Sequence, residues 1–205
     1  MAFLAFFVYY FVGALPNYYW IEKGFKVNLN ELLSRRPNYL MFSSVKSVLV
    51  ILTLMVTDFA KGIIPLYAGY LLGFTNLELS YLVIALILGH YYPVFNYFQG
   101  RLGMMVCIAS YTTLGWSVMF VASGIWLVTY LISGYRVVAN VLVALFIPVY
   151  IYFFLNVAYI IPVVTLSSVI ILRHTALLIR TRYGYYLPDC NGLFQRLVRD
   201  KDFLI

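Results

Sequence analysis

Four clusters in this 205-residue chain hold residues able to do chemistry. Asp58 and Lys61 stand at i and i+3 in a stretch otherwise uncharged from 47 to 77, a spacing that places both on one helix face. Charged groups inside a membrane are expensive and are paired or functional. The two read either as a self-neutralising structural ion pair or as part of a site. The segment LGHYYPVFNYFQGRLG, 88–103, carries His90 and Pro93, then a turn holding Gly100 and Gly103 beside Arg101. Glycines let backbone N–H groups converge, and a helix starting near Gly103 would aim its positive end at the same spot; the ligand this suits is an anion such as phosphate. Ser34-Arg35-Arg36-Pro37-Asn38 is a second basic turn, readable also as a solvated loop. Arg173-His174 with Arg180 is the third basic cluster. Histidine there suits proton transfer near neutral pH, or simply a satisfied interfacial side chain.

Composition says what must position these groups. Hydrophobic residues make up 64% of the chain and charged residues 10%, against a usual ~45–50% and about 25%. A soluble surface cannot be built from so few charges, so the chain belongs in a bilayer. Disorder, a secreted disulfide scaffold and a cytosolic enzyme are excluded by the same arithmetic. Cys107 and Cys190 set up neither a metal spacing nor a disulfide framework. The balance of 14 basic to 7 acidic residues reports topology first, and no nucleic-acid signature accompanies it. The 20 tyrosines, in runs such as Tyr9-Tyr10 and Tyr91-Tyr92, gather near expected span ends as an interfacial belt.

Uncharged stretches outline the spans. Residues 2–21 suit one crossing, with no basic leader or cleavage site to mark them as a removed signal. A second span surrounds Asp58 and Lys61, with Gly62 and Pro65 suggesting a kink or a close approach, and a third covers 79–100. Stretch 137–172 as one helix would run roughly 54 Å against a ~30 Å core, so it must turn. The expected breaks are Thr112–Gly115 in 102–135 and Asn156 in 137–172. This gives an all-α polytopic membrane protein of about seven transmembrane helices, with five as the alternative. With the N-terminus outside and the C-terminus cytoplasmic, loops 22–46, 96–103 and 134–137 and the tail from 173 hold every Lys and Arg except Lys61.

In order and spacing, YYFVGALPNYYWIEKG, KVNLNELLSRRPN, TDFAKGIIPLYAGYLLG, LGHYYPVFNYFQGRLG and ILRHTALLIRTRYG resemble the bacterial PlsY family. Those are integral-membrane glycerol-3-phosphate acyltransferases that use acyl phosphate as donor. Asp58, Lys61 and Gly62 fit the family's D-x-x-K-G element, and His90, Pro93, Phe95, Phe98, Gly100 and Gly103 fit its H-x-F-P-V-F-x-x-F-K-G-G-K-G element. His174, Arg180 and Gly184 fit the last element. Departures fall on phosphate-binding positions: Gln99, Arg101 and Leu102 replace Lys, Gly and Lys. In the early Gly-Ser-Gly-Asn element Ser34 survives, while Arg35, Arg36 and Asn38 replace Gly, Asn and Gly.

The resemblance implies a PlsY-like membrane domain over 1–184 with a cytoplasmic or interfacial tail over 185–205. It implies an enzyme of the bacterial cell membrane making 1-acyl-glycerol 3-phosphate from acyl phosphate and glycerol 3-phosphate, without cofactor or metal. Ser34 and His174 would line the reaction centre, and Gly100, Arg101, Gly103, Arg180 and His90 would hold substrate. Membrane lipids are the surrounding partner, nucleic acid is not expected, and the sequence leaves the oligomeric state open. The rival is a catalytically degenerate relative with a lipid-binding or scaffolding role. The charge pattern also makes a topological prediction. Cys190 should resist an impermeant thiol reagent in intact cells and react after lysis, and a single cysteine placed at Glu78 should do the reverse. Labelling of Cys190 from outside would overturn the orientation.

Overall fold

The computed structural model describes residues 2–29, 45–98, 100 and 103–182, and within them all regular structure is helical. Ser34, Arg35, Arg36, Asn38, Gln99, Arg101, Leu102 and the tail 185–205 lie outside the described residues.

The first apolar stretch is not one crossing helix. Helix α1 (Ala2–Ala14) stops before Leu15-Pro16, and α2 (Asn17–Phe25) restarts as a short, more polar segment. Pro16 has no N–H to donate and disfavours helical backbone at Leu15, which explains the break. Helix α3 (Val45–Leu71) runs 27 residues without interruption through Asp58, Lys61 and Pro65. It ends at Gly73, whose left-handed φ of +88° suits a residue without Cβ.

Helix α4 (Asn76–Tyr91) opens on a reciprocal cap. The Thr75 hydroxyl accepts from Glu78 N–H, and the Glu78 carboxylate accepts from Thr75 N–H at 2.8 Å. Of its apolar window 67% is buried, against 11% for α3, so α4 is the central post and the others surround it. Both expected breaks are present. Helix α5 (Met104–Ser110) passes into a 3-10 turn, Tyr111–Leu114, and Gly115 at φ +126° redirects the chain into α6 (Trp116–Ser133). Helix α7 (Arg136–Phe154) stops before Asn156, whose side-chain oxygen accepts from Ala158 N–H at 2.9 Å. After the turn Val157–Tyr159, α8 (Ile160–Arg182) completes the bundle.

Five of the described helices are long and apolar enough to cross a membrane: Val48–Leu71, Asn76–Asn96, Trp116–Ser133, Val137–Phe154 and Val157–His174. Two further apolar segments of the seven expected are helical but shorter, α1 with 13 residues and Met104–Leu114. The chain is thus a multi-pass membrane protein. Its core gathers around α4, where Leu82, Leu86 and Ile87 meet Val106, Val118, Ile147 and Leu166.

Two glycines bring α1 and α4 into backbone contact. A Cβ at Gly13 would fall on the Leu86 carbonyl, and one at Gly89 on the Tyr10 carbonyl. Small residues at such crossings are how helices associate in lipid, where apolar burial alone offers no drive. Tyr10 OH donating to Tyr92 O at 2.8 Å and Tyr9 OH donating to Pro65 O at 2.6 Å fix the same helix at two more points. Gly62 gives α3 an equivalent close approach to Val106 and Ala109 of α5. Gly13→Val should therefore lower the thermal midpoint in detergent by the equivalent of about 1–3 kcal/mol or prevent folding. Gly24→Ala, with open space around it, should leave the midpoint unchanged or slightly raised.

Candidate active site

At the break between α1 and α2 the Leu15 carbonyl accepts from Asn17 N–H at 3.0 Å, and Lys61 of α3 supplies a second donor. Its ammonium donates to Leu15 O at 2.7 Å and lies 3.5 Å from His90 Nδ1. An ammonium can only donate, so Nδ1 of His90 is the accepting nitrogen in this contact. Asn17, two residues beyond Leu15, donates from Nδ2 to Asp58 Oδ1 at 3.3 Å and to Thr57 O at 3.4 Å. Asp58 and Lys61 share a face as their spacing implies, yet these contacts tie each of them to the α1–α2 turn.

These groups line one narrow cleft of about 20 Å³, room for about one water. Gly13 to Tyr18 form one wall, Leu54, Asp58 and Lys61 a second, and His90, Pro93, Asn96 and Gly100 the third. An apolar groove of about 520 Å³ runs between α1–α2 and α3 along Val12, Trp20, Ile21, Phe25 and Ile64. Leu15, Asn17 and Lys61 belong to both cleft and groove. The ammonium thus sits where the cleft, which also carries Asn17, Asp58, His90 and Asn96, meets an apolar groove.

The glycine turn holds its place by close packing. Gly100 N–H donates to Tyr91 O at 3.2 Å, and a Cβ there would strike the His90 and Tyr91 carbonyls. Gly103 adopts φ +43°, and a Cβ on it would collide with the His90 imidazole. Helix α5 begins at Met104, directly behind it, as the sequence implied. Arg173 of α8 pins this turn from the far side. Its Nη2 donates to Gly100 O at 2.7 Å, and its guanidinium lies 5.1 Å from the centre of the Tyr92 ring.

The structure therefore brings together Asp58, Lys61, His90 and Gly100, with Gly103 against His90. It does not bring His174 into the cleft. That ring is fully buried, with Nδ1 2.6 Å from Ile170 O and Nε2 2.9 Å from Asn140 Nδ2. Its link to the cleft is indirect, through Tyr91, whose ring stands edge-on to it at 6.2 Å. Arg180 falls in the last turns of α8. Among the described residues no group of His, Cys, Asp and Glu could hold a metal ion. Sequence reading passed over Asn17 and Asn140, and named Arg173 in a basic cluster without giving it a role of its own. A lone amide inside an apolar stretch was the available signal for both asparagines.

A family model described as glycerol-3-phosphate acyltransferase matches residues 3–184. The chain is 38% identical over 122 residues to a glycerol-3-phosphate acyltransferase of Pectobacterium carotovorum subsp. carotovorum (strain PC1), covering 60% of this chain and 57% of that protein. Against one from Haemophilus influenzae (strain PittEE) it is 34% identical over 137 residues, 67% of each. The chain thus spans under two thirds of the length of several of these relatives. The fold is that of PlsY, an integral membrane glycerol 3-phosphate acyltransferase. Its glycerol 3-phosphate form superposes with a TM-score of 0.70 at 22% identity, over 96% of this chain and 98% of that one.

Arg173→Leu should release the 93–100 turn. A hydrogen bond from a charged donor contributes about 1.5–3 kcal/mol, so amide exchange at Gly100 should accelerate by roughly ten- to a hundredfold. Unchanged exchange there would show that the turn stands without this pin.

Proposed function

We propose that this chain, which belongs to the glycerol-3-phosphate acyltransferase family, transfers an acyl group from acyl phosphate to the 1-hydroxyl of glycerol 3-phosphate. The observation that carries the reading is Lys61 at the junction of cleft and groove. An acyl phosphate is an anionic head on a long apolar tail. Its tail fits the channel along Val12, Phe25 and Ile64, and its phosphate then meets the ammonium.

Glycerol 3-phosphate approaches beside His90, Asn96 and Gly100, where the narrow cleft has to widen to admit it. Arg101 and Arg180 supply cations for its phosphate, and the family resemblance implies Ser34 and His174 at the reaction centre, although His174 is buried outside the cleft behind Tyr91. The substrate hydroxyl attacks the acyl carbonyl and the carbon–oxygen bond to phosphate breaks. The hydroxyl proton leaves on the departing phosphate, so no Ser-His-Asp triad is required. Most of the rate enhancement comes from holding two anions in contact and from stabilising the oxyanion that forms between them. The product is an amphiphile and leaves into the lipid of the bacterial cell membrane.

Purified protein given acyl phosphate and glycerol 3-phosphate should form 1-acyl-glycerol 3-phosphate and inorganic phosphate one for one. Lys61→Met should raise the half-saturation for acyl phosphate roughly ten- to a hundredfold, equivalent to about 1.5–3 kcal/mol of lost charge-assisted bonding. No product from the wild type at saturating substrate would overturn the reading.

A further inference from the structure

Trp126, Asn140 and His174 form an unbroken polar chain across α6, α7 and α8. The Trp126 indole N–H donates to Asn140 Oδ1 at 2.9 Å. Asn140 Nδ2 lies 2.9 Å from His174 Nε2, and His174 Nδ1 lies 2.6 Å from the Ile170 carbonyl. Asn140 is 8% exposed and His174 0%, so solvent offers neither of them a substitute partner.

The two ends of this chain leave no freedom in its middle. An indole N–H only donates, and a carbonyl oxygen only accepts. The Asn140 amide must therefore turn its oxygen to Trp126 and its NH2 to His174. Nε2 must accept, and the proton must sit on Nδ1, facing Ile170 O. A doubly protonated ring would set an Nε2–H against the amide N–H with nothing between them to accept.

We infer that Trp126 and Asn140 are positioning residues that hold His174 as one neutral tautomer, Nδ1–H, with its Nε2 lone pair already engaged by the Asn140 amide. In this arrangement the ring cannot take a proton at Nε2 from a substrate hydroxyl. It is an uncharged strut, standing against Tyr91 and directly followed along the chain from Arg173, whose guanidinium holds Gly100 O. Its service to catalysis is to fix the back wall of the cleft. That consequence rests on the acyltransferase reading; the tautomer does not.

The chain has two histidines, so 15N-histidine labelling gives two ring systems, and His174→Gln identifies the one that disappears. In the wild type, His174 should show a protonated Nδ1 and an unprotonated Nε2. Asn140→Asp presents acceptors to both neighbours, and should convert the ring to the doubly protonated form. Trp126→Phe removes the donor that orients the amide. With Ile170 O still holding Nδ1–H, an amide that turns its oxygen to Nε2 should give a fraction of doubly protonated ring, at a lowered thermal midpoint because the ring is smaller and the Asn140 oxygen loses its donor. Acyl transfer by both variants should fall at least tenfold in kcat, with KM for glycerol 3-phosphate changed less than threefold. An Nε2–H or doubly protonated ring in the wild type would overturn the inference. So would full activity in an Asn140→Asp protein whose ring has become charged. An inactive wild type that nonetheless shows the Nδ1–H ring would sink the acyltransferase reading and leave the tautomer assignment standing.

Discussion

Helices in lipid gain little from hiding apolar side chains, because the solvent around them is apolar too. What can hold them is contact close enough for backbone to meet backbone, and α1 and α4 achieve it through Gly13 and Gly89. The rest of the cleft hangs on that crossing. It carries the Leu15 carbonyl to the ammonium of Lys61, and Asn17 to the carboxylate of Asp58. It also lays the turn after α1 beside His90. A wider crossing would take the Leu15 carbonyl from Lys61 and the Asn17 amide from Asp58. The glycines and the ion-bearing helix therefore form one unit, although they lie far apart in the chain.

The charged groups in turn set limits on their surroundings. Lys61 needs acceptors, and finds one because Pro16 interrupts the helix and exposes a carbonyl at that depth. The same residue that spoils the first crossing thus supplies the partner for an otherwise costly cation. The glycine turn follows a similar logic. Gly100 and Gly103 are small because the imidazole and carbonyls at the end of α4 occupy the space a side chain would need. Arg173 then closes the turn from α8, so that three helices share in holding one short loop.

Much of the fold was legible because membranes constrain sequence so heavily. Stretches without charge marked the apolar helices, and stretch 137–172 was too long not to turn. Gly115 and Asn156 supplied the turn chemistry at the places where the chain does turn. The split of the first helix was written in Leu15-Pro16, but an unbroken apolar run of suitable length outweighed a single proline. The site was legible in part. Spacing put Asp58 and Lys61 on one face, and could not say that Leu15, Asn17 and His90 from other helices would meet them. His174 illustrates the opposite difficulty. Its neighbours Asn140 and Trp126 come from two other helices, and no local pattern announces a partnership across such distances.

The loop from Tyr92 to Phe98 carries one more consequence. Phe95, Tyr97 and Phe98 stand largely exposed, Tyr97 at 89%, and Tyr97 and Phe98 hold left-handed backbone that side chains ordinarily avoid. Aromatic rings presented this way settle at the level of lipid headgroups. Pro93 and Asn96 of this loop line the cleft, with Gly100 just after it, so rings settled among headgroups would set the height of the cleft in a bilayer. On the proposed reading, an amphiphilic donor in the leaflet would meet Lys61 with its head already at that height. Its tail need never leave oil, and the ~0.8 kcal/mol per methylene that extraction into water would cost is never incurred.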